Sequence, residues 1–86
     1  MNRVNLAYYE KEDYDYFLSI IDDRENLHDT WEEWYKAFTK LKRTLISHGL
    51  NVKEVKIDLN ELVAYCKENN VKNDGKARSQ FVSLKK

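Results

Sequence analysis

A chain of 86 residues has room for one small hydrophobic core, and we expect residues 1–86 to form a single domain. Cys66 is the only cysteine, which excludes a disulfide within the chain, and two histidines are too few for a typical zinc cluster. No stretch approaches the roughly 18 consecutive apolar residues of a membrane-spanning helix. An unpaired cysteine and an N-terminus without a secretory pattern favour a cytoplasmic protein that has no cofactor and no membrane contact.

The formal net charge is zero, but the charges are unevenly distributed. Residues 1–35 hold three basic and ten acidic residues, a net charge of −7, whereas residues 36–86 hold twelve basic and five acidic residues, a net charge of +7. The simpler interpretation is that the two halves fold against each other and neutralise their charges. The alternative is a molecule with two opposite poles, which would favour association with a second copy or with an anionic partner.

Two strands are predicted near the N-terminus. Residues 3–9 alternate apolar and polar side chains, and residues 14–21 are rich in aromatic and β-branched side chains. The short segment between them fits a hairpin connection, although it lacks the glycine or asparagine of a tight turn. A single helix over residues 6–20 is the alternative.

The strongest pattern predicts a long amphipathic helix from about Thr30 to His48. Thr30 and Glu33 have the spacing of a capping box, and Gly49 follows at the position of a C-cap. Apolar residues recur at alternating steps of three and four, which places them on one stripe: Trp31, Trp34, Phe38, Leu41 and Leu45. We expect this stripe to pack in the core, although a tryptophan ridge could also dock a partner.

The second half of the chain predicts a strand followed by two further elements. Residues 50–57 have a strand pattern, and Asp58 and Glu61 then repeat the capping-box spacing at the start of a second helix. This helix should end near Asn69, since asparagine tolerates the left-handed cap conformation. Residues 76–84 are either a third helix, which we favour, or a strand.

Together these elements predict an α+β fold. It is a small two-layer domain of order β-β-α-β-α-α, in which the long helix packs on a two- or three-stranded sheet. The strands at 14–21 and 50–57 would be parallel, joined by the long helix in a βαβ unit. We expect the helices to cover one face of the sheet. Because residues 14–21 carry apolar side chains on both faces, a second copy of the chain would cover the other face.

Three carboxylates define a candidate metal site. Asp22 and Asp23 follow the predicted strand at 14–21, and Asp58 follows the strand at 50–57. In parallel strands these carboxylates would meet at the sheet edge where open α/β sheets bind ligands. Such oxygen ligands suit Mg²⁺ in a phosphoryl-transfer or hydrolase domain. The simpler interpretation assigns Asp58 to helix capping and the other two to a loop.

A basic C-terminal segment defines a candidate nucleic-acid contact. Its cations, which could bind phosphates, are Lys72, Lys76, Arg78, Lys85 and Lys86. A sequence pI of about 6.7 argues against a general nucleic-acid binder, so a solvated surface is the simpler interpretation.

Partly exposed tyrosines define a candidate self-association surface. They are Tyr8, Tyr9, Tyr35 and Tyr65. Cys66 lies on the apolar face of the second helix, where we expect a buried and inert thiol. Since no catalytic motif with specific spacing is present, the leading hypothesis is a non-enzymatic protein-interaction module that forms a homodimer or serves as an accessory subunit.

Overall fold

The computed structural model describes residues 2–85, which form two β-strands and four α-helices. In chain order these are β1 (Arg3–Tyr8), α1 (Tyr14–Ile20), α2 (Trp31–Ser47), β2 (Asn51–Lys56), α3 (Leu59–Glu68) and α4 (Gly75–Ser83). The predicted α+β class is confirmed, as are the long central helix, the strand after it and the helical form of the C-terminal segment.

Capping side chains explain where three of these helices begin. Thr30 Oγ1 accepts a hydrogen bond from the N–H of Glu33 at 3.2 Å at the start of α2. Asp58 Oδ1 accepts one at 2.9 Å at the start of α3. Both caps were predicted from the sequence. Asp74 Oδ1 does the same for α4, accepting from the N–H of Ala77 at 3.0 Å, although no sequence pattern had indicated this cap.

The strand predicted at residues 14–21 is wrong, because this segment contains the helix α1. Tyr14 and Phe17 are 2% and 0% exposed, whereas Tyr16 between them is 50% exposed. Buried positions three residues apart fit the period of a helix and not the two-residue period of a strand. The high β propensity of aromatic and β-branched residues misled the prediction. The alternative helix over residues 6–20 is also wrong in its first part, which belongs to β1.

The sheet consists of β1 and β2, which are parallel. Arg3 lies opposite Asn51 at one end of the pair, and Tyr8 lies opposite Lys56 at the other. Parallel neighbours need a long crossover connection, and here α1 and α2 provide it. The predicted parallel pairing across the long helix is therefore present, with β1 in the place that the prediction gave to residues 14–21.

Helices cover both faces of this sheet. The ring of Tyr8 lies edge-on to the rings of Trp34 and Phe38 on α2, with centroids 5.7 Å apart in each pair. The side chain of Asn5 points to the opposite face of β1, because Asn5 is three residues from Tyr8 and successive side chains of a strand point to alternate faces. Its Nδ2 donates hydrogen bonds to two backbone carbonyls at the end of α4, at 3.0 and 2.7 Å. The face that we expected a second copy to cover is thus occupied by α4 of the same chain.

The predicted core stripe of α2 holds over the first part of the helix. Trp34 and Phe38 are buried and stack on each other with centroids 5.1 Å apart, whereas Leu41 is 49% exposed.

Within residues 2–85, no helix combines the length and the apolar composition required to cross a bilayer.

Candidate protein-interaction site

The outer edge of β1 presents backbone groups that face away from the only strand beside it. The carbonyls of Asn2 and Tyr8 accept hydrogen bonds at 3.1 and 3.0 Å from N–H groups at the two ends of β2. Because residues along a strand direct their backbone groups alternately to one side and the other, the even-numbered residues of β1 face β2. The N–H and C=O groups of Asn5 and Ala7 therefore point outward. Among residues 2–85, β2 is the only strand that borders β1.

This outer edge lies at the base of a groove of about 320 Å³ between α2 and α4. Three consecutive residues of β1, namely Asn5, Leu6 and Ala7, contribute to its lining. The α2 wall consists of Trp34, Ala37, Phe38 and Leu41, and the α4 wall consists of Gly75, Arg78, Ser79 and Val82. Each set repeats at steps of three and four residues, so each helix turns one face toward the groove. An extended segment in this groove could pair with β1 and pack against both helices.

A largely buried ion pair holds α4 in position beside β1. Arg78 Nη2 lies 2.7 Å from Asp23 Oδ2, and the two side chains are 10% and 15% exposed. Arg78 Nη1 donates to the backbone carbonyl of Asn73 at 2.9 Å, and the guanidinium lies 5.5 Å from the centre of the Phe17 ring. The N–H of Asn73 donates to Asp22 Oδ2 at 2.7 Å. These bonds fasten the loop after α1 to the loop before α4, which fixes the α4 wall of the groove.

The same ion pair sets the titration of Asp23. Burial on its own would raise the pKa of this carboxyl, but the hydrogen bond and the positive charge of Arg78 together hold the pKa below its ordinary value of 3.8. Asp23 is therefore ionised at neutral pH, and the pair is intact there.

The predicted metal site loses its geometric basis in this structure. Asp22 and Asp23 follow the helix α1, so they do not lie at the end of a strand parallel to β2, as the predicted site required. Asp23 pairs with Arg78, Asp22 accepts a backbone hydrogen bond, and Asp58 caps α3. Within residues 2–85, no three histidine, cysteine, aspartate or glutamate side chains are grouped as a metal ion would require.

The basic C-terminal segment does not form one exposed surface. Arg78 is buried in its ion pair and cannot reach a phosphate without breaking it, which corrects its assignment to a nucleic-acid contact. Lys85 Nζ is 2.6 Å from a carboxylate oxygen of α3. Lys72 and Lys76 are exposed, and Lys86 lies outside the described residues.

The four tyrosines predicted to line an interface lie in different environments. Tyr9 is buried, stacks on Phe17 with centroids 4.0 Å apart, and has its pKa raised to about 12 chiefly by burial. The prediction that Tyr9 is partly exposed is therefore wrong. Tyr8 and Tyr65 are half-buried, and Tyr35 is 40% exposed. The rings of Tyr8 and Tyr35 contact each other. Among residues 2–85, no ring contact joins Tyr65 to either of them, so the three tyrosines do not form one patch through ring contacts.

A larger concavity of about 440 Å³ lies where β2 ends and α3 begins, lined by Asp13, Tyr16 and residues 56–60. Two of its three charged side chains already have partners. Lys56 Nζ lies 3.5 Å from a carboxylate oxygen of Glu10, and Asp58 caps α3. This concavity offers no row of outward-facing strand backbone, so we favour the β1 groove as the candidate site.

The sequence pattern did not reveal the groove, because its existence depends on β1 being an edge strand. With residues 14–21 assigned to a second strand, β1 was expected to pair on that side. One signal was present in the sequence. The helical spacing of small and apolar residues around Ala37 and Ser79 indicates two helix faces that can line a common groove.

No protein-family model, no curated protein and no solved structure matches this chain.

Proposed function

We propose that this chain is a non-enzymatic protein-interaction module that binds an extended segment of another protein along β1. Adding a strand to an open sheet edge is a common mode of peptide recognition, in which backbone hydrogen bonds are made with the edge and side chains enter neighbouring pockets. The outward-facing backbone of Asn5 and Ala7, set between two helices, is the observation that supports this function most strongly. A buried Cys66, whose thiol pKa is raised by burial, suits a reducing cytoplasm.

An extended segment fits this edge better than a second copy of the chain does. Lining residues of α2 and α4 stand on the two sides of the β1 edge, so a single extended chain can approach its backbone along the groove. The β1 edge of a second copy is flanked in the same way, and the helices of the two copies would meet before the strands could pair. The proposal thus keeps the interaction class predicted from the sequence and replaces self-association with binding of a separate segment.

The bound segment must contribute side-chain contacts as well as backbone hydrogen bonds. One backbone hydrogen bond stabilises a complex by a net amount of only about 0.5–1.5 kcal/mol, because it replaces a bond to water. The exposed half of Leu41 and the partly exposed Leu6 supply apolar surface on which such a segment can bury its own side chains.

Random-peptide display on the folded chain, followed by NMR titration of an enriched peptide, tests this function. We expect the largest amide shifts at Asn5 and Ala7. Ser79→Phe, which fills the groove from α4, should abolish the shifts. Gln80→Phe adds the same ring to an exposed position of the same helix outside the groove lining and should leave binding unchanged.

Two results would overturn the proposal. One is a selection that enriches no peptide, and the other is a set of shifts centred on β2 or unaffected by Ser79→Phe. Light scattering gives an independent check, since we expect a monomer at low and at high salt. A dimer that dissociates when the peptide is added would mean that a second copy occupies the site.

A further inference from the structure

The lining of the β1 groove presents no free charge. Among the described residues that line it, Arg78 is the only charged one. Its side chain is 10% exposed and its Nη2 lies 2.7 Å from a carboxylate oxygen of Asp23, so its positive charge is neutralised from within the fold. A bound segment therefore meets no unpaired cation and no carboxylate on the groove walls.

Exposed lysines of the two helices lie outside this lining. Lys40 of α2 is not part of it, and Lys76 of α4 lines a separate concavity of about 370 Å³ together with Lys72 and Asp74. The charges of these lysines are exposed to water, where they are strongly screened. They give the groove itself no preference for an anionic ligand.

The surface that stays open in the groove is mostly apolar. Four lining residues are exposed, and only one of them has a polar side chain. They are Ala37 and Leu41 on α2 and Gly75 and Ser79 on α4. At the base, the amide nitrogen of Asn5 already donates to two backbone carbonyls at the end of α4. The α2 wall thus offers hydrocarbon surface, and the α4 wall offers small residues with one hydroxyl.

The length of the groove limits how many residues of a segment it can hold. Its lining follows the chain from Asn5 to Tyr9. At about 3.3 Å per residue this distance is about 13 Å, which corresponds to about four or five residues of an extended segment. Successive side chains of a bound strand point alternately to the two sides, so one set would face α2 and the other set would face α4.

We infer that the segment bound by this module is uncharged over about four or five residues and alternates large apolar side chains, directed toward α2, with other uncharged side chains, directed toward α4. This inference rests on the proposed function and specifies its partner. A charged side chain of either sign would lose water on entering the groove and would find no opposite charge there. The selectivity of the site thus comes from excluding charged segments, and not from attraction between opposite charges.

Single substitutions in an enriched peptide test this inference. We expect the selected sequences to share about four or five consecutive uncharged residues. At the peptide position whose NMR contacts place it against Ser79, glutamine is compared with glutamate and with lysine. Both charged peptides should bind more than about tenfold more weakly than the glutamine peptide, and added salt should not restore their affinity. The same charges placed beyond the paired residues are the control and should have little effect.

A charge placed in the groove lining should reverse the exclusion for one sign. Ser79→Asp introduces a carboxylate at an exposed lining position and should raise the affinity for the lysine peptide by about tenfold, while weakening the glutamate peptide further. Gln80→Asp introduces the same carboxylate at an exposed position of α4 outside the groove lining and should change neither affinity by more than about twofold. Lys76→Gln should also leave the ranking of the three peptides unchanged, because Lys76 lies outside the lining.

The outcomes separate this inference from the function on which it rests. A peptide that binds at β1 and tolerates glutamate or lysine at the position facing Ser79 as well as it tolerates glutamine would overturn charge exclusion and leave strand addition standing. Equal responses of Ser79→Asp and Gln80→Asp to the lysine peptide would overturn it in the same way. If no enriched peptide binds at β1, strand addition itself is overturned.

Discussion

The two edges of this small sheet are built in different ways. The backbone groups of Val52, Glu54 and Lys56 face outward from β2, and two of these residues carry exposed charges. Glu54 forms an ion pair with Lys42 of α2, and Lys56 pairs with Glu10, which lies two residues after the end of β1. The outward positions of β1 are Arg3, Asn5 and Ala7. Arg3 is exposed at the start of the strand, whereas the uncharged Asn5 and Ala7 line the groove between two helices.

This difference shows two ways of protecting a strand edge. Charged side chains keep other strands from pairing with an exposed edge such as β2. We propose that the helices on both sides of β1 protect it from the edge of another folded sheet and leave room for a single extended chain. The part of the β1 edge at Asn5 and Ala7 lacks charges and lies between two helices, and we propose that it is suited to selective pairing.

The largest effect that we expect comes from removing the side chain that fixes the α4 wall. Arg78→Ala would leave Asp23 without its partner in a largely buried site, and the loss of unfolding free energy should be about 3–5 kcal/mol in denaturant titrations. Arg24→Ala is the matched control. It breaks an exposed pair with Asp29, whose side chains are 43% and 82% exposed, and should cost about 0–1 kcal/mol. Equal losses in the two variants would show that the recess of β1 does not depend on this pair.

A smaller effect follows from acidification. The pKa of Asp23 is lower in the folded chain than in the unfolded one, so the unfolded state binds the proton first as the pH falls. The stability contributed by this pair should be fully present above a pH of about 4 and should be lost as the pH falls through the folded pKa. Asp23→Asn should make the dependence of unfolding free energy on pH shallower in this range. An unchanged pH profile in that variant would contradict the assigned role of the pair.

We expect the smallest effect on stability from substitutions at the outer edge of β2. Glu54→Val combined with Lys56→Val removes two exposed ion pairs, each contributing about 0–1 kcal/mol, and leaves β2 as an uncharged open edge. We expect this double variant to associate with increasing concentration in light scattering. Lys67→Val combined with Glu68→Val removes the same charges near the end of α3 and should stay monomeric. If both variants are monomeric, the charges on β2 do not protect its edge.

Much of the fold could be predicted because local signals agreed with the final structure. The capping box at Thr30, the cap at Asp58 and the glycine after α2, whose φ is +84°, mark helix boundaries through contacts within a few residues. Burial of Trp34 and Phe38 followed from helical spacing alone. Such features need no knowledge of which distant elements meet.

The remaining features depended on tertiary contacts that a short pattern does not encode. Residues 14–21 combine strand propensity with helical spacing, and packing of Phe17 against Tyr9 and Arg78 accompanies the helical outcome. Arg78 was expected on the surface because its partner, Asp23, is 55 residues away in sequence. The groove was missed for a related reason, since it requires the correct neighbours of β1 to be known. The acidic residues 1–35 and the basic residues 36–86 were predicted to neutralise each other. The Asp23–Arg78 pair is one contact of this kind, since it joins the two halves of the chain.

Amide hydrogen exchange on the free chain tests the open edge of β1 most directly, without any ligand. The N–H groups of Leu6 and Tyr8 face β2 and should exchange slowly, whereas those of Asn5 and Ala7 face the groove and should exchange at least about tenfold faster. This alternation from one residue to the next is the result that our account predicts. Equal protection of all four amides would mean that the outer edge of β1 is already paired, and the proposed binding site would then not exist.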